Sequence, residues 1–371
     1  MKQIFKLVIL LSLGSCTFLK PPPAPLPVLR LLGAYELPYN MEFRSTTVGG
    51  LSGIDYDPVL NKYYLISDDP SSINPARFYT ADIRFDERGI ENVNLLEVIY
   101  LLQPGGDTFP SMHVNPLLAP DPEAIRLDQK RRQLIWTSEG ERLIKENIVY
   151  DPFIGIADLN GSTKSFFPLP ENLKMQLVEK GPRKNAALEG LSLDDRGKHL
   201  YVSLEEPLYE DGPQSGTGTN AMIRVSKFKM KKGKLLAQFA YQIDPIVKEP
   251  EPQGAFAMNG VSEILWMGKH QLFVMERSYS TGTKGSQVRL YLADFKQATN
   301  VINHKKLGEM PYVAMKKQLV LNLEQVGIYI DNLEGICFGP KLKDGRRTLV
   351  LVADNNFSAS QKSQIIVFAI E

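Results

Sequence analysis

The sequence predicts an all-β fold, a single β-propeller in which five blades are favoured, and two observations carry this prediction. First, a short acidic pattern recurs five times at intervals of 71, 66, 74 and 71 residues. Second, each copy opens a strand-length apolar run, which is followed by a turn and by a second apolar run that ends in acids. A fixed long period built from strand-length units is typical of propellers. The copies begin at Ser52, Glu123, Glu189, Glu263 and Glu334.

Each copy predicts one four-stranded blade, and the third copy shows this most clearly. Its strands are expected over residues 188–193, 199–204, 221–229 and 235–243, with turn residues between alternating apolar runs. The fifth copy lacks one strand, because the chain ends after the run 364–370. The apolar segment 28–37 is otherwise unassigned, so we expect it to pair with that run and to close the ring, which removes exposed strand edges. The long loops leave room for a sixth, diverged blade.

The first 27 residues precede the propeller domain, which we place at residues 28–371. A basic start, a short apolar run and Leu13-Gly14-Ser15-Cys16 resemble a bacterial lipobox, in which the cysteine receives lipid. The apolar run is too short to span a bilayer, so residues 1–15 are interpreted as a signal peptide and Cys16 as the lipidation site. The proline-rich segment 16–27 is then an extended tether. We expect the protein at the bacterial cell envelope, on the outer membrane or cell surface or in the periplasm, with the membrane as a partner through this anchor.

Composition indicates which other binding partners to expect. The chain has 371 residues, 43% of them apolar, and a formal net charge of +1. This is a globular composition with no excess of positive charge, so no nucleic acid partner is predicted, and we expect a monomer.

The repeat also predicts a chemical site. Two antiparallel strands joined by a turn bring the start of the first beside the end of the second, so both acids of a copy are expected at the same mouth of the central channel. The inner set is the four glutamates at the copy starts, and the outer set closes the second runs: Asp68, Asp69, Glu139, Glu205, Glu206, Glu276 and Asp354. Oxygen ligands of this kind suit Ca²⁺ or Mg²⁺. Alternatively, the acids bond backbone N–H groups and tie the blades together.

Other reaction types are not supported. There is no Gly-x-Ser-x-Gly nucleophile elbow and no His-x-x-x-His pair, which argues against a serine esterase and against a zinc site of that type. Arg277 follows Glu276 directly, and it is expected either to pair with an acid or to hold a phosphate group.

Four segments together resemble the bacterial phytase-like family, which is described by an esterase-like activity of phytase. They are Asp121–Ile125 with Trp136–Glu139, Ala187–Ser192 through Leu208, Gly260–Ile264 through Arg277 and Tyr291, and Asn332–Ile336 through Phe357. The resemblance covers roughly residues 45–371. The chain departs from the pattern at Ser52, where the other copies have glutamate, and in an extra loop from Glu139 to Tyr150.

The resemblance implies an exported propeller and suggests phosphoester hydrolysis. Together with the acidic ring it predicts a lipid-anchored hydrolase that depends on a divalent cation, with Ca²⁺ favoured and other divalent ions left open, and with a phosphorylated small molecule or an ester as substrate. The expected metal ligands are Glu123, Glu189, Glu263, Glu334, Asp68 and Asp354, and the expected catalytic residues are Glu139, Glu205, Glu276 and Arg277. The alternative is a non-catalytic propeller that binds a ligand or a protein at the cell envelope and holds calcium only for structure.

Overall fold

A computed structural model describes residues 25–371, and the predicted signal peptide and Cys16 lie outside the described residues. Within that range the chain forms five four-stranded antiparallel sheets and two small hairpins. No helix in this part of the chain is long and apolar enough to cross a membrane. The helical segments described there are short 3-10 turns at Glu171–Leu173, Tyr209–Asp211, Lys231–Gly233 and Leu323–Gln325.

Each sheet is one propeller blade. The chain begins with β1 (Leu29–Leu37) and a hairpin of β2 (Glu42–Phe43) and β3 (Thr46–Thr47). Blade 1 contains β4 (Leu51–Asp57), β5 (Lys62–Ser67), β6 (Arg77–Asp86) and β7 (Gly89–Tyr100). Blade 2 and its inserted hairpin contain β8 (Pro122–Asp128), β9 (Gln133–Ser138), the hairpin strands β10 (Glu141–Leu143) and β11 (Ile148–Tyr150), β12 (Phe153–Asp158) and β13 (Thr163–Phe166).

The remaining blades follow the same plan. Blade 3 contains β14 (Leu188–Leu193), β15 (His199–Leu204), β16 (Ala221–Lys229) and β17 (Lys234–Ile243). Blade 4 contains β18 (Ala257–Gly268), β19 (Gln271–Ser280), β20 (Gln287–Asp294) and β21 (Lys316–Asn322). Blade 5 contains β22 (Asn332–Gly339), β23 (Arg347–Asp354) and β24 (Ser363–Ile370), and β1 completes it.

Ring closure by the N-terminal strand is confirmed. Strand β1 pairs antiparallel with β24, with Leu29 opposite Ile370 and Leu37 opposite Ser363. The C-terminal part of the chain supplies only three strands of blade 5. Strand β1, from the N-terminal end of the domain, is its outer strand. The count of five blades is also confirmed, and the long loops of residues 25–371 form no sixth blade.

The first strands of the blades pack around the central channel. Each of β4, β8, β14, β18 and β22 contacts the next, and β22 contacts β4. Apolar layers fill the spaces between neighbouring blades, as between blades 5 and 1, where Ile54 packs with Val352 and Val367. Glycine in the repeat permits this close approach, because a Cβ at Gly53 would lie 2.9 Å from the carbonyl oxygen of Glu123 on the next inner strand.

A single arginine crosses the channel. The guanidinium of Arg126, on β8, donates hydrogen bonds to the carbonyl oxygens of Ile54, Ile264 and Ile336 on three other inner strands. It also forms an ion pair of 2.6 Å with Glu263, and both side chains are buried. Arg126 thus joins four blades inside the channel.

Candidate functional site

The repeat has the same backbone irregularity in every blade, which fixes where its acids lie. In each pair of first and second strands, the register skips one or two residues near the start of the first strand. A β-bulge of this kind redirects a side chain out of the regular alternation. The first residues skipped are Ser52, Glu123, Glu189, Ser262 and Glu334.

The second strands deliver a matching set beside the bulges. In each blade, the last first-strand residue before the bulge pairs with a residue of the second strand. The residue that follows this partner in the chain lies at the same mouth of the channel. These successors are Asp68, Glu139, Glu205, Arg277 and Asp354. Four blades thus present carboxylates at this position, and blade 4 presents a guanidinium.

The fourth copy is therefore shifted by one residue from the predicted register. Ser262 occupies the position predicted for Glu263, and Arg277 occupies the position predicted for Glu276. Glu263 points into the channel toward Arg126 and accepts hydrogen bonds from the backbone N–H groups of Leu191 and Ile264. Glu263 therefore does not lie with the other acids at the channel mouth, where the sequence predicted it.

Two acids of the predicted outer set are also held away from the mouth by dense hydrogen bonding. Glu276 is buried and accepts from the Tyr241 hydroxyl, from the amide of Asp244 and from Lys317. Asp69 accepts from three consecutive backbone N–H groups of residues 72–74 and pairs with the buried Arg77. The contacts of Glu276 and Asp69 thus match the alternative interpretation, in which the acids bond donors within the protein and hold its structure together.

The other acids converge on one large cavity at the channel mouth. Its volume is about 1040 Å³ and its lining includes Asp68, Asp121, Glu123, Glu189, Glu205, Glu206, Arg277 and Glu334. Asp354 and Glu139 lie beside it, since each has carboxylate oxygens within 4.8 Å of those of lining acids. We call this end of the propeller the acidic mouth.

Two groups of three carboxylates stand out within the acidic mouth. Asp68, Glu334 and Asp354 form the first, at blades 5 and 1, and Asp121, Glu123 and Glu139 form the second, on blade 2. In each group the carboxylate oxygens lie within 4.8 Å of one another. Calcium–oxygen distances of about 2.3 to 2.6 Å place the oxygens of one coordination sphere at most about 5 Å apart, so the spacing fits.

Several of these carboxylates lack hydrogen-bond donors. Within residues 25–371, no side chain or backbone N–H donates to the carboxylates of Asp68, Asp121, Glu123 or Glu189. Oε2 of Glu334 is buried and has no hydrogen-bond partner in the described part of the chain. Buried ionised carboxylates are costly unless they are paired or bind a metal. All six ligands of the two groups are oxygens, and three of them, Asp68, Asp121 and Glu123, have no hydrogen-bond donor in residues 25–371, so the set fits a hard divalent cation.

The proton affinities of the acids show the same lack of compensation. Burial first and the nearby Glu141 second raise the pKa of Asp121 to about 7, while burial and the neighbouring Glu334 raise the pKa of Asp354 to about 8. Burial also raises the pKa of Glu205 to about 7, although Arg277 opposes this shift. The pKa values of Asp68, Glu123, Glu139 and Glu189 are all raised well above their ordinary values by burial first and by other acids second.

Arg277 is the cation that the chain itself places among these acids. Its Nη2 lies 2.8 Å from Glu205 and its Nη1 lies 2.8 Å from Glu334, with a further hydrogen bond to Asn332. Although burial lowers the pKa of Arg277, the Glu334 and Glu205 carboxylates hold it above its ordinary value. These contacts use three of the five N–H groups of the guanidinium, which leaves two for a ligand in the cavity.

The rim of the acidic mouth is basic. The exposed lysines Lys184, Lys284 and Lys362 line the cavity, and Lys184 and Lys362 are 2.8 and 2.7 Å from Glu141 and Glu36. Lys284 belongs to a glycine-rich loop, residues 280–286, whose residues 283–286 line the cavity, and Gln214 of a second glycine-rich loop, residues 212–220, lines it too. An acidic floor beneath a basic rim suits a ligand that combines cations with an anion.

Sequence reasoning missed two residues of this site. Asp121 completes the group on blade 2, and Asn332 donates hydrogen bonds to Glu334 and Asp354. Asp121 directly precedes β8 and Asn332 is the first residue of β22, in Asp121-Pro122-Glu123 and Asn332-Leu333-Glu334. Each is a polar residue two positions before the repeat glutamate, and this sequence pattern could have identified both.

The chain is similar to one protein family and to several solved structures. A family model described as "Phytase-like: Esterase-like activity of phytase" matches residues 46–357, whereas no curated protein matches the chain. Among solved structures, endo-arabinase from Bacteroides thetaiotaomicron VPI-5482 has a TM-score of 0.44 at 12% identity over 87% of this chain and 95% of that one. Periplasmic gluconolactonase from Pseudomonas aeruginosa has a TM-score of 0.36 at 11% identity over 86% of this chain and 85% of that one. Because the family model matches more than four fifths of the chain, this protein belongs to the phytase-like family.

Proposed function

We propose that this protein is an exported, lipid-anchored hydrolase of phosphoric esters that works with divalent cations at the acidic mouth. The observation that carries the proposal is the convergence of buried carboxylates, half of them without a hydrogen-bond donor in residues 25–371, into two groups of metal-ligand spacing beneath a rim that carries three lysines. Family membership supports the reaction class, because the family is described by an esterase-like activity of phytase. Fold alone does not establish an activity, so the site has to support the assignment.

The two carboxylate groups are the proposed cation sites. Asp68, Glu334 and Asp354 would hold one ion, and Asp121, Glu123 and Glu139 a second. Ca²⁺ is the favoured ion, since all six side chains offer oxygen and the flexible coordination of calcium tolerates an irregular set. A divalent cation bound there supplies positive charge to phosphoryl oxygens and makes a bound water more acidic.

Arg277 is proposed to orient the phosphoryl group. Its position is fixed by Glu205 and Glu334 on the blades to either side, so little side-chain entropy is lost when it binds an anion. Its two remaining N–H groups suit adjacent phosphoryl oxygens, and a guanidinium presents such donors in a planar fork. This contact stabilises charge that develops on the oxygens in the transition state.

Glu205 is the proposed general base. It lines the cavity, belongs to neither carboxylate group and lies 2.8 Å from Arg277, so it would stand next to a phosphoryl group held by that arginine. In this position its carboxylate can accept a proton from an attacking water. Glu276 cannot share this role in the observed arrangement, because its carboxylate is occupied by Tyr241, Lys317 and the amide of Asp244.

Hydrolysis is tested with purified protein, a panel of phosphate monoesters and diesters, and a chelator. We expect calcium-dependent turnover, bound metal by elemental analysis, and a fall of about a hundredfold or more in kcat for Glu205→Gln and Arg277→Met. Glu146→Gln, in an exposed loop of the inserted hairpin, is the matched control and should keep full activity.

Two results would reject the hydrolase. One is equal turnover by the chelated and the calcium-loaded protein. The other is tight calcium binding with no phosphate ester hydrolysed, which would favour the non-catalytic propeller that binds a ligand or a partner protein at the same mouth.

The lipid anchor is tested separately, by cell fractionation. If Cys16 carries lipid, Cys16→Ser should move the protein from the membrane fraction to the soluble fraction, since the described part of the chain contains no helix able to span a membrane. Conversion of the other cysteine, Cys337→Ser, is the control, because Cys337 is buried inside blade 5. Unchanged fractionation of Cys16→Ser would refute the anchor.

A further inference from the structure

The formal charge of +1 conceals a separation of charge between the two ends of the propeller. The end opposite the acidic mouth consists of the turns that join first to second strands and third to fourth strands. Exposed basic side chains occur in these turns on every blade, for example at Arg88, Lys130, Lys232, Lys269 and Lys343. We call this end the basic face.

Several acids at the basic face are neutralised within the protein. Five of them form ion pairs there: Asp57 with Arg132, Asp86 with Arg88, Asp128 with Arg131, and both Asp344 and Glu371 with Arg346. The densest positive region is the turn between β16 and β17, where Lys231, Lys232 and Lys234 are all exposed. The uncompensated charge of this face is therefore positive.

A cavity opens at the centre of the basic face, at the far end of the channel from the acidic mouth. Its volume is about 620 Å³, and both charges line it: the basic residues are Arg126, Lys130, Arg196, Lys341 and Arg347, and the acids are Asp55, Asp128, Asp194 and Asp195. Arg126 lies at its inner end and separates it from the acidic cavity. Because acids and bases are mixed in this cavity, the excess positive charge of the basic face lies in the exposed turns around it, which suit a surface of anionic head groups.

The start of the domain lies at this same face. Leu29 pairs with Ile370 at the end of β24, and the N–H of Glu371 donates to the carbonyl oxygen of Val28, so the segment before β1 leaves the sheet on the basic face. The segment 16–27 contains twelve residues and reaches at most about 40 Å when extended. A lipid on Cys16 would therefore hold the basic face, rather than the acidic mouth, near the bilayer.

We propose that the basic face docks on an anionic phospholipid surface, with the acidic mouth directed away from the membrane. The affinity of the basic face for anionic lipid sets this orientation by itself, and the proposed lipid anchor would reinforce it. A lipid chain and a polybasic surface together give firm membrane attachment where either signal alone is weak. In this orientation the site opens toward the aqueous phase, where the repulsion between its acids and the lipid phosphates is smallest.

The affinity of the basic face is tested without the anchor, by sedimenting Cys16→Ser protein with vesicles. We expect binding to vesicles that contain phosphatidylglycerol, little binding to pure phosphatidylcholine, and loss of binding at high salt. Replacing Lys231, Lys232 and Lys234 with glutamate should weaken binding at least about tenfold. The matched control replaces Lys145, Lys180 and Lys248 with glutamate. These are three exposed lysines on loops at the end of the acidic mouth, and this variant should bind as strongly as Cys16→Ser protein does.

Orientation is tested with a fluorescent label on Cys16→Ser protein, in which the remaining cysteine, Cys337, is buried. A label at Lys232→Cys should be quenched by nitroxide lipids, and a label at Lys145→Cys should not. Equal quenching at both positions would overturn the orientation. Binding that survives the triple lysine substitution would overturn the assigned surface. If vesicles do not bind but polyglutamate does, through the same lysines, the face binds acidic proteins and the lipid assignment is overturned.

Discussion

In the presence of a chelator, the protein is expected to melt at a higher temperature near pH 5.5 than near pH 8.5, by about 5 to 10 °C. The cause is the set of raised pKa values at the acidic mouth, with Asp121 and Glu205 raised to about 7 and Asp354 to about 8. A carboxyl whose pKa is raised by folding binds its proton more tightly in the native state. Its contribution to stability is complete at low pH and is lost as the pH rises through the folded-state pKa.

The size of the effect follows from burial. A buried carboxyl whose pKa is about 7 when folded and about 4 when unfolded costs on the order of 4 kcal/mol at pH 8. Because the acids repel one another, protonation of one lowers the cost of ionising the next, so their effects are not additive. A total of several kcal/mol over the window from pH 5 to pH 8.5 is expected.

Calcium should reverse this pH dependence. The proposed ligands bind a cation in their ionised form, so the stabilisation by calcium should be small near pH 5 and largest above pH 8. The measurement is a melting curve at each pH with calcium or with chelator. In chelator, Glu123→Gln should raise the melting temperature at pH 8.5, whereas in calcium it should lower it; Glu146→Gln, whose side chain is exposed, is the control. A chelated protein that becomes more stable as the pH rises would contradict the description of the mouth as an uncompensated acidic cluster.

The architecture could be predicted from the sequence because the repeat period survives in all five blades. The segment 28–37 could be assigned to blade 5 by exclusion, since blade 5 was one strand short and an open ring leaves exposed edges. Its pairing with β24 depends only on strand-length apolar patterns at the two ends of the domain.

The detail of the fourth blade could not be predicted in the same way. A β-bulge interrupts the alternation of side chains, so a one-residue displacement moves an acid from the mouth into the channel. In Ser262-Glu263 and Glu276-Arg277 the local pattern fits two registers equally well. The contact that decides between them is the pairing of Glu263 with Arg126, which lies 137 residues away on another blade. Asp121 escaped prediction for a related reason, because it precedes its strand and joins the site only through the folded loop.

The second large prediction concerns Arg126, which pairs with Glu263 in the displaced register of the fourth blade. Arg126→Met is expected to reduce the free energy of unfolding by about 3 to 5 kcal/mol, because it leaves the buried Glu263 carboxylate without its partner. The substitution also removes the donor that three inner-strand carbonyl groups share inside the channel. The measurement is equilibrium unfolding in urea with saturating calcium, which keeps the acidic mouth constant.

A second variant separates the ion pair from the packing of the arginine. In Arg126→Met with Glu263→Gln, the amide oxygen still accepts from Leu191 and Ile264 but carries no charge, so a substantial part of the lost stability should return. Arg84→Met, which breaks an exposed ion pair with Asp82, is the control and should change stability by less than about 1 kcal/mol. If Arg126→Met proves as mild as Arg84→Met, the channel arginine does not join the blades. If instead the double variant is as unstable as the single one, the loss comes from the carbonyl groups and not from Glu263. A strong recovery would show that the unpaired Glu263 carboxylate, rather than the lost donor to the three carbonyl groups, causes most of the instability of Arg126→Met.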